Sequence, residues 1–373
     1  MKYMDEYRDV KIAHAIAADI RRRSTRPWVL MEICGGQTHT LMRYGIDDLL
    51  GNSVQLVHGP GCPVCVTPLE TIDRALALAR RPDVTLVSYG DMLRVPGSDT
   101  DLFHVKAEGG DVRVIYSPTD AVQLALANPD RKVVFFAIGF ETTAPSTALT
   151  LVHAKAEGLN NFSVFCNHVT IIPAIRAILD SPDMRLDGFV GPGHVSTVIG
   201  CRPYDWIAKD EGKPVVVSGF EPLDILQSIV MLLRQLRNGE ARVENQYKRV
   251  VPWEGNRAAL RAMAEVFELR PYFEWRGLGF ISQSALKIRD SYSTWDAEQR
   301  FTVPGIRVTD PKAAQCGEVL KGVLKPAQCK LFGRECTPEQ PVGALMVSSE
   351  GSCAAYYNYE HRKPVTIANA ATH

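Results

Sequence analysis

His58-Gly-Pro-Gly-Cys-Pro-Val-Cys65 carries two thiols among glycines and prolines, between the apolar run Val54-Gln-Leu-Val57 and the stretch Thr67-Pro68-Leu69-Glu70. The apolar run predicts a short strand, which Gly59, Pro60 and Gly61 break. The second stretch predicts a helix start, with Thr67 as N-cap, Pro68 at the first helical position and Glu70 completing a capping box. Leu69, Ile72, Leu76 and Ala79 follow at helical spacing, with Ala75 on the same side. Cys65 is therefore expected just before a helix N-terminus, where the positive end of the dipole favours thiolate over thiol. A pair of this kind suits disulfide exchange or metal ligation. The alternative is a pair of packed, inert cysteines, but small buried cysteines rarely need such glycine and proline neighbours.

The same strand, turn and helix grammar runs on both sides of this stretch. Upstream, residues 5–24 read as a helix with Val10, Ile12, Ala13, Ile16, Ala17 and Ile20 as its apolar stripe. Trp28 to Ile33 reads as a strand that stops at Cys34, and Gly35-Gly36 lets the chain turn before Thr38-His39-Thr40 opens a helix. Open α/β sheets put ligands at the carboxyl ends of their strands, so Cys34 is a candidate ligand for a soft metal. His39 lies near it in sequence, though a lone histidine equally well orients neighbours or caps a turn.

Downstream, strands are expected at 84–89, 112–116, 132–139, 162–166, 189–190 and 215–218, with helices after most of them. Strands alternating with helices predict parallel sheets with crossover helices. About seven strand candidates precede residue 220, more than one small Rossmann-like half requires. The expected fold is thus α/β, with two Rossmann-like parallel-sheet domains facing a cleft and a mainly helical, cysteine-bearing domain after them. The expected boundaries are an N-terminal helical arm (1–25), a first α/β domain with Cys34, Cys62 and Cys65 (26–130), a second (131–217) and the helical domain (218–373). The boundary near 130 rests on the turn Asn128-Pro129-Asp130. Glu141, His194 and Glu221 follow strand ends and are candidates to line the cleft, or else caps and turn formers.

Composition excludes several function classes. The 42 basic residues balance 42 acidic ones, which leaves no electrostatic footprint for nucleic acid or membrane. No apolar run approaches the roughly 18 residues of a membrane helix, and the first residues lack a signal-peptide core, so a cytoplasmic protein is expected. Nine cysteines in a reducing compartment point to metal or redox chemistry rather than structural disulfides. No nucleotide-binding glycine motif stands in its required context.

Cys316, Cys329, Cys336 and Cys353 form a second thiol group, separated by 12, 6 and 16 residues and surrounded by glycines and prolines. Four thiolates are the usual complement of a [4Fe–4S] cluster. A zinc site is the direct rival, but it usually shows a close Cys-x₂₋₄-Cys pair, and none occurs among these four.

Together these residues resemble the HypD family of [NiFe]-hydrogenase maturation proteins. The matching pieces are Cys34-Gly-Gly-Gln-Thr-His39, His58 to Cys65, Gly139-Phe-Glu-Thr-Thr143, Gly191-Pro-Gly-His194, Gly219-Phe-Glu-Pro222 and the four distal cysteines. Gln37 stands where some members carry His, so no ligand role is assigned to it. The resemblance implies a scaffold that assembles the Fe(CN)₂CO group with a small HypC-type chaperone, while a HypE-type protein, with HypF upstream, provides cyanide. It implies Cys34 as the iron ligand, Cys62 and Cys65 as a redox pair and the distal cysteines as cluster ligands. His39, Glu141 and His194 are carried as further site residues. A cluster-fed thiol–disulfide reductase acting on a separate substrate has nearly the same parts, and whether the protein is an enzyme in its own right stays open.

Overall fold

The computed structural model describes residues 5–182, 184–303 and 313–360. Its frame is two parallel sheets. In chain order the strands are β1 (Trp28–Glu32), β2 (Val54–His58), β3 (Val84–Ser88), β4 (Val112–Val114), β5 (Lys132–Gly139), β6 (Phe162–His168), β7 (Gly188–Gly191), β8 (Val215–Val217) and β9 (Val243–Asn245). One sheet has the order β2-β1-β7-β8-β9 and the other β4-β3-β5-β6, and every pairing within them is parallel. Central strands are buried along nearly their whole length, as in β3, β5 and β7. Such strands have helices on both faces and read as continuous apolar runs rather than alternating ones.

Sheet membership cuts across the expected domain boundaries. The chain leaves the first sheet after β2, builds the whole second sheet as β3 to β6, and returns with β7. The first α/β domain is therefore made of two separate stretches. The turn at Asn128-Pro129-Asp130 is a tight helix-to-strand connection inside the second sheet. There the Asn161 side-chain amide donates to the carbonyls of Ala125, Asn128 and Arg131. A turn signal marks a local reversal, and nothing in it distinguishes a loop within a sheet from a link between sheets.

The flanking regions are also corrected. Helix Val10–Arg23 buries Ala13, Ala17 and Ile20 and packs on helix Pro222–Asn238, so it is part of the first sheet's helical layer rather than an arm. Helix Pro222–Asn238 in turn lies on β7 and β8. Beyond it the described residues are not mainly helical: β10 (Phe267–Leu269) pairs antiparallel with β13 (Leu286–Ile288), and between them β11 (Tyr272–Trp275) and β12 (Gly279–Ser282) form a hairpin. The segment with the distal cysteines holds only short helices, Cys316–Leu320 and Ser352–Glu360, and 3₁₀ turns. Among the described residues no helix is long and apolar enough to cross a membrane.

Candidate metal centre

In an open parallel sheet the strand order reverses at a switch point, and the crevice outside the strand ends there takes ligands. The first sheet reverses between β1 and β7, and the second between β3 and β5. These two switch points face one another. One open cleft, of about 490 Å³, is lined by Ile33 and Cys34 after β1, His194 and Val195 after β7, Tyr89 after β3, and Phe140, Thr142 and Thr143 after β5. The Cys-Pro-Val-Cys turn begins the connection from β2 of the first sheet to β3 of the second, and Gly61, Pro63 and Val64 form part of the same lining.

Cys34 occupies the N-cap position of helix Gly35–Arg43, with extended backbone angles. Its N–H donates to Glu32 Oε2 at 2.9 Å, and its carbonyl accepts from Gln37 and Thr38. Burial pushes the thiol up to about 12, with the Glu350 and Glu32 carboxylates adding to it, against the N–H groups of Gly36 and Gln37. The helix start offers stabilisation to a thiolate, but desolvation outweighs it. A bound metal cation would displace that proton. Gln37 is itself buried, and its side-chain N–H donates to the carbonyls of Gly191 at 3.0 Å and Ser218 at 3.1 Å. It ties the ends of β7 and β8 to the Cys34 helix, a positioning role that its place beside Cys34 did not signal.

The Cys62–Cys65 pair is bonded as a disulfide, with Cα atoms 5.3 Å apart, and both residues are buried. The expected capping box is absent. Helix Leu69–Ala79 begins after Pro68, and the Thr67 hydroxyl turns back to donate to the Pro63 carbonyl and accept from Asn167. Thr67 holds the disulfide turn closed instead of opening the helix. Gly61 puts this turn directly on Cys34, since a Cβ at Gly61 would lie 2.6 Å from both Cys34 N and Cα. Those are backbone atoms of a packed turn and cannot swing aside. Gly61→Ala is expected to cost about 1–3 kcal/mol of stability through overpacking and to speed alkylation of Cys34, as read by thermal melts and peptide mass spectrometry.

The four distal thiols line one cavity, together with the apolar side chains of Val319, Leu331, Phe332 and Met346. Gly343 stands where a Cβ would come within 2.4 Å of Cys316 Sγ. Burial raises Cys353 well above the usual thiol range, and the other three cysteines add to it. Burial likewise pushes Cys316 up to about 11, which the Arg276 guanidinium opposes. Among the described residues no three His, Cys, Asp or Glu side chains gather around a single-ion position. The quartet rings a cavity instead. This cavity adjoins the disulfide: Cys65 and Cys316 line a second space with Arg276, and a Cβ at Gly351 would sit 3.1 Å from Cys65 Sγ. Cys62, Cys65, Cys336 and Cys353 belong to the same buried core.

The turn before Cys353 bridges both sheets. Ser348 donates to Asp91 at 2.7 Å and the Val347 carbonyl accepts from Arg94 at 2.6 Å. Glu350 packs against Gly35, where a Cβ would lie 2.4 Å from the Glu350 carbonyl oxygen. Glu350 thereby enters the Cys34 cleft. Sequence reading missed it, because a glutamate in a Ser-Glu-Gly turn looks like ordinary loop chemistry.

Of the other expected site residues, His194 lines the cleft and stacks on Phe220 with ring centroids 3.9 Å apart, and burial lowers its pKa. His39 does not line it: its ring meets Tyr359 edge-on, with Nε2 3.2 Å from the hydroxyl. Glu221 lines a neighbouring cavity and is paired with Arg8. Glu141 turns away from its cleft-lining neighbours, and its carboxylate accepts the N–H of Ile171 at the start of helix Ile171–Leu179. Burial pushes that carboxyl from 4.5 up to about 7, against two backbone N–H donors. The folded protein thus holds the proton more tightly than the unfolded chain. The stability this provides is complete below the unfolded value of 4.5 and is lost as pH rises through about 7. Glu141→Gln removes this ionisation, so the fall in melting temperature between about pH 5 and pH 8 is expected to shrink, by the equivalent of on the order of 3 kcal/mol at most. Calorimetry across that range checks it.

The HypD family model, described as "Hydrogenase formation hypA family", matches residues 11–360. The hydrogenase maturation factor HypD of Rhodobacter capsulatus is 54% identical over 370 residues, covering 96% of this chain and 98% of that one. The HypD of Rhizobium leguminosarum bv. viciae is 54% identical over 368 residues, covering 96% of each. That of Escherichia coli (strain K12) is 48% identical over 370 residues, covering 97% of this chain and 99% of the other.

Proposed function

The chain belongs to the HypD family and acts in [NiFe]-hydrogenase maturation, and we propose that it is the cytoplasmic scaffold and redox component on which the Fe(CN)₂CO group is assembled with a HypC-type chaperone. The observation that carries this reading is the apposition of the two switch points, which puts Cys34 and the Cys62–Cys65 turn in one cleft.

The cargo iron binds the Cys34 thiolate and is shared with a cysteine of the chaperone. Burial keeps the Cys34 thiol protonated in the absence of a cation, so iron binding and proton loss are one event. A HypE-type protein, with HypF upstream, delivers cyanide to this iron. The distal quartet fits a resident [4Fe–4S] cluster: four thiols ring one cavity, the remaining lining is largely apolar, and Gly343 keeps a side chain off Cys316. Bound there, a cluster supplies single electrons. Reduction of the Cys62–Cys65 bond takes two electrons and two protons and leaves two thiols, and Cys65 lies on the quartet's side of the turn. His194 closes the first sheet's side of the cleft, with Phe220 stacked behind it.

Anaerobic copurification with the chaperone, followed by infrared spectroscopy, tests the reading. Bands from iron-bound CN and CO are expected in the complex. Catalytic turnover of a free disulfide by the isolated protein, with no such bands in any complex, would replace the scaffold by a cluster-fed reductase.

A further inference from the structure

We propose that Glu32, His58 and Tyr356 are positioning residues, forming a buried hydrogen-bonded chain that ties the Cys34 turn to the helix bearing Cys353. Glu32 ends β1, and its carboxylate receives the Cys34 N–H on Oε2 and the Thr38 hydroxyl on Oε1. His58 ends β2, and its Nδ1 lies 2.6 Å from the same Oε1. On the other side of the ring, Nε2 lies 3.0 Å from the Tyr356 hydroxyl. Glu32 is 1% exposed, His58 3% and Tyr356 4%.

A carboxylate, an imidazole and a phenol held away from water are costly unless each is satisfied, and when satisfied they fix one geometry. Apolar residues would fill the same space without that demand. With Glu32 accepting, Nδ1 carries the hydrogen and Nε2 accepts from Tyr356, so the chain is complete in one tautomer. Its ends are informative. Tyr356 lies one helical turn after Cys353 in helix Ser352–Glu360, and Glu32 holds the N–H of Cys34 itself. Position of that helix is therefore felt at the Cys34 turn through three specific contacts. The inference rests on the reading of the quartet as cluster ligands: ligation of Cys353 pins the helix, and the pinned helix orders the Cys34 turn. Coupling of this kind requires an element whose arrangement both sites bias, and helix Ser352–Glu360 is that element.

The test compares iodoacetamide alkylation of Cys34, followed by peptide mass spectrometry, in the full-length protein with and without reconstituted iron and sulfide. In the parent protein, reconstitution is expected to slow Cys34 alkylation by about fivefold or more, the low end of typical coupling between sites. In Tyr356→Phe, which keeps the ring and removes the hydroxyl, reconstitution is expected to change the rate by less than about twofold, because the coupling term is gone. His58→Asn serves as the second variant, retaining a donor toward Glu32 but not the reach to Tyr356. Full coupling in either reconstituted variant, or none in the parent protein, overturns the inference. Iron and sulfide content reports separately on the quartet: a protein that takes up no cluster refutes that reading, whereas a loaded protein without coupling refutes only the chain.

Discussion

Replacing Cys34 by alanine is expected to abolish the infrared bands of iron-bound CN and CO in the complex with the chaperone. Cys34 is the one free thiol that lines the cleft among the described residues, and it sits where the first sheet's strand order reverses. Removing an outer hydrogen-bond partner of a metal ligand already costs roughly 10–100-fold in affinity, so loss of the ligand itself should leave no measurable occupancy. The fold should survive, since the small side chain can be deleted without touching the Glu32 carboxylate, which bonds the residue's backbone N–H. Unchanged bands in a folded Cys34→Ala protein would remove this residue from the role of obligatory ligand. Serine at this position is expected to behave like alanine, because a hard hydroxyl is a poor substitute for a soft thiolate.

Replacing Cys353 by alanine is expected to give the second large effect. Iron and sulfide should fall from about four of each per chain, the content of one cubane, to well below one. Binding free energy at such a site is also folding free energy, and Cys353 lies in the same buried core as Cys62, Cys65 and Cys336. A marked fall in melting temperature should therefore accompany the loss of colour, in a protein whose two parallel sheets stay folded by circular dichroism. Cys166→Ala is the control. Its thiol is buried beside the Leu286 carbonyl, in a different apolar cluster from Cys62, Cys65, Cys336 and Cys353, and it should leave iron content unchanged.

Much of this was legible in the sequence because parallel α/β units announce themselves locally. The apolar run before each glycine turn fixed where strands end, and β5 came out at Lys132–Gly139 as its β-branched and aromatic residues suggest. Which strands share a sheet was not legible. Val84–Ser88 pairs with Lys132–Gly139 across more than forty residues of chain, and only tertiary packing decides that. The short strand Val243–Asn245 and the hairpin Tyr272–Ser282 were missed because they are brief and set among polar residues. Thr67 and Glu141 illustrate a second limit. Both have cap-forming side chains beside helix starts, yet Thr67 bonds backward and Glu141 caps a helix thirty residues on. Glu32 offered a signal that went unused: a carboxylate at the end of an otherwise apolar strand, two residues from a thiol, needs partners if buried. His58 comes from the next strand and Tyr356 from the far end of the chain, and no spacing rule reaches them.

The central claim is that electrons entering at the late cysteines reach the early pair. The most direct measurement loads the protein with iron and sulfide under anaerobic conditions and reduces it with a photochemical one-electron donor that leaves disulfides of the unloaded protein intact. Thiols are then counted at Cys62 and Cys65 by alkylation and mass spectrometry. Two new thiols at those positions are expected in the loaded parent protein and none in Cys353→Ala. A Cys62–Cys65 disulfide that stays closed in the loaded, fully reduced parent protein would contradict the claim.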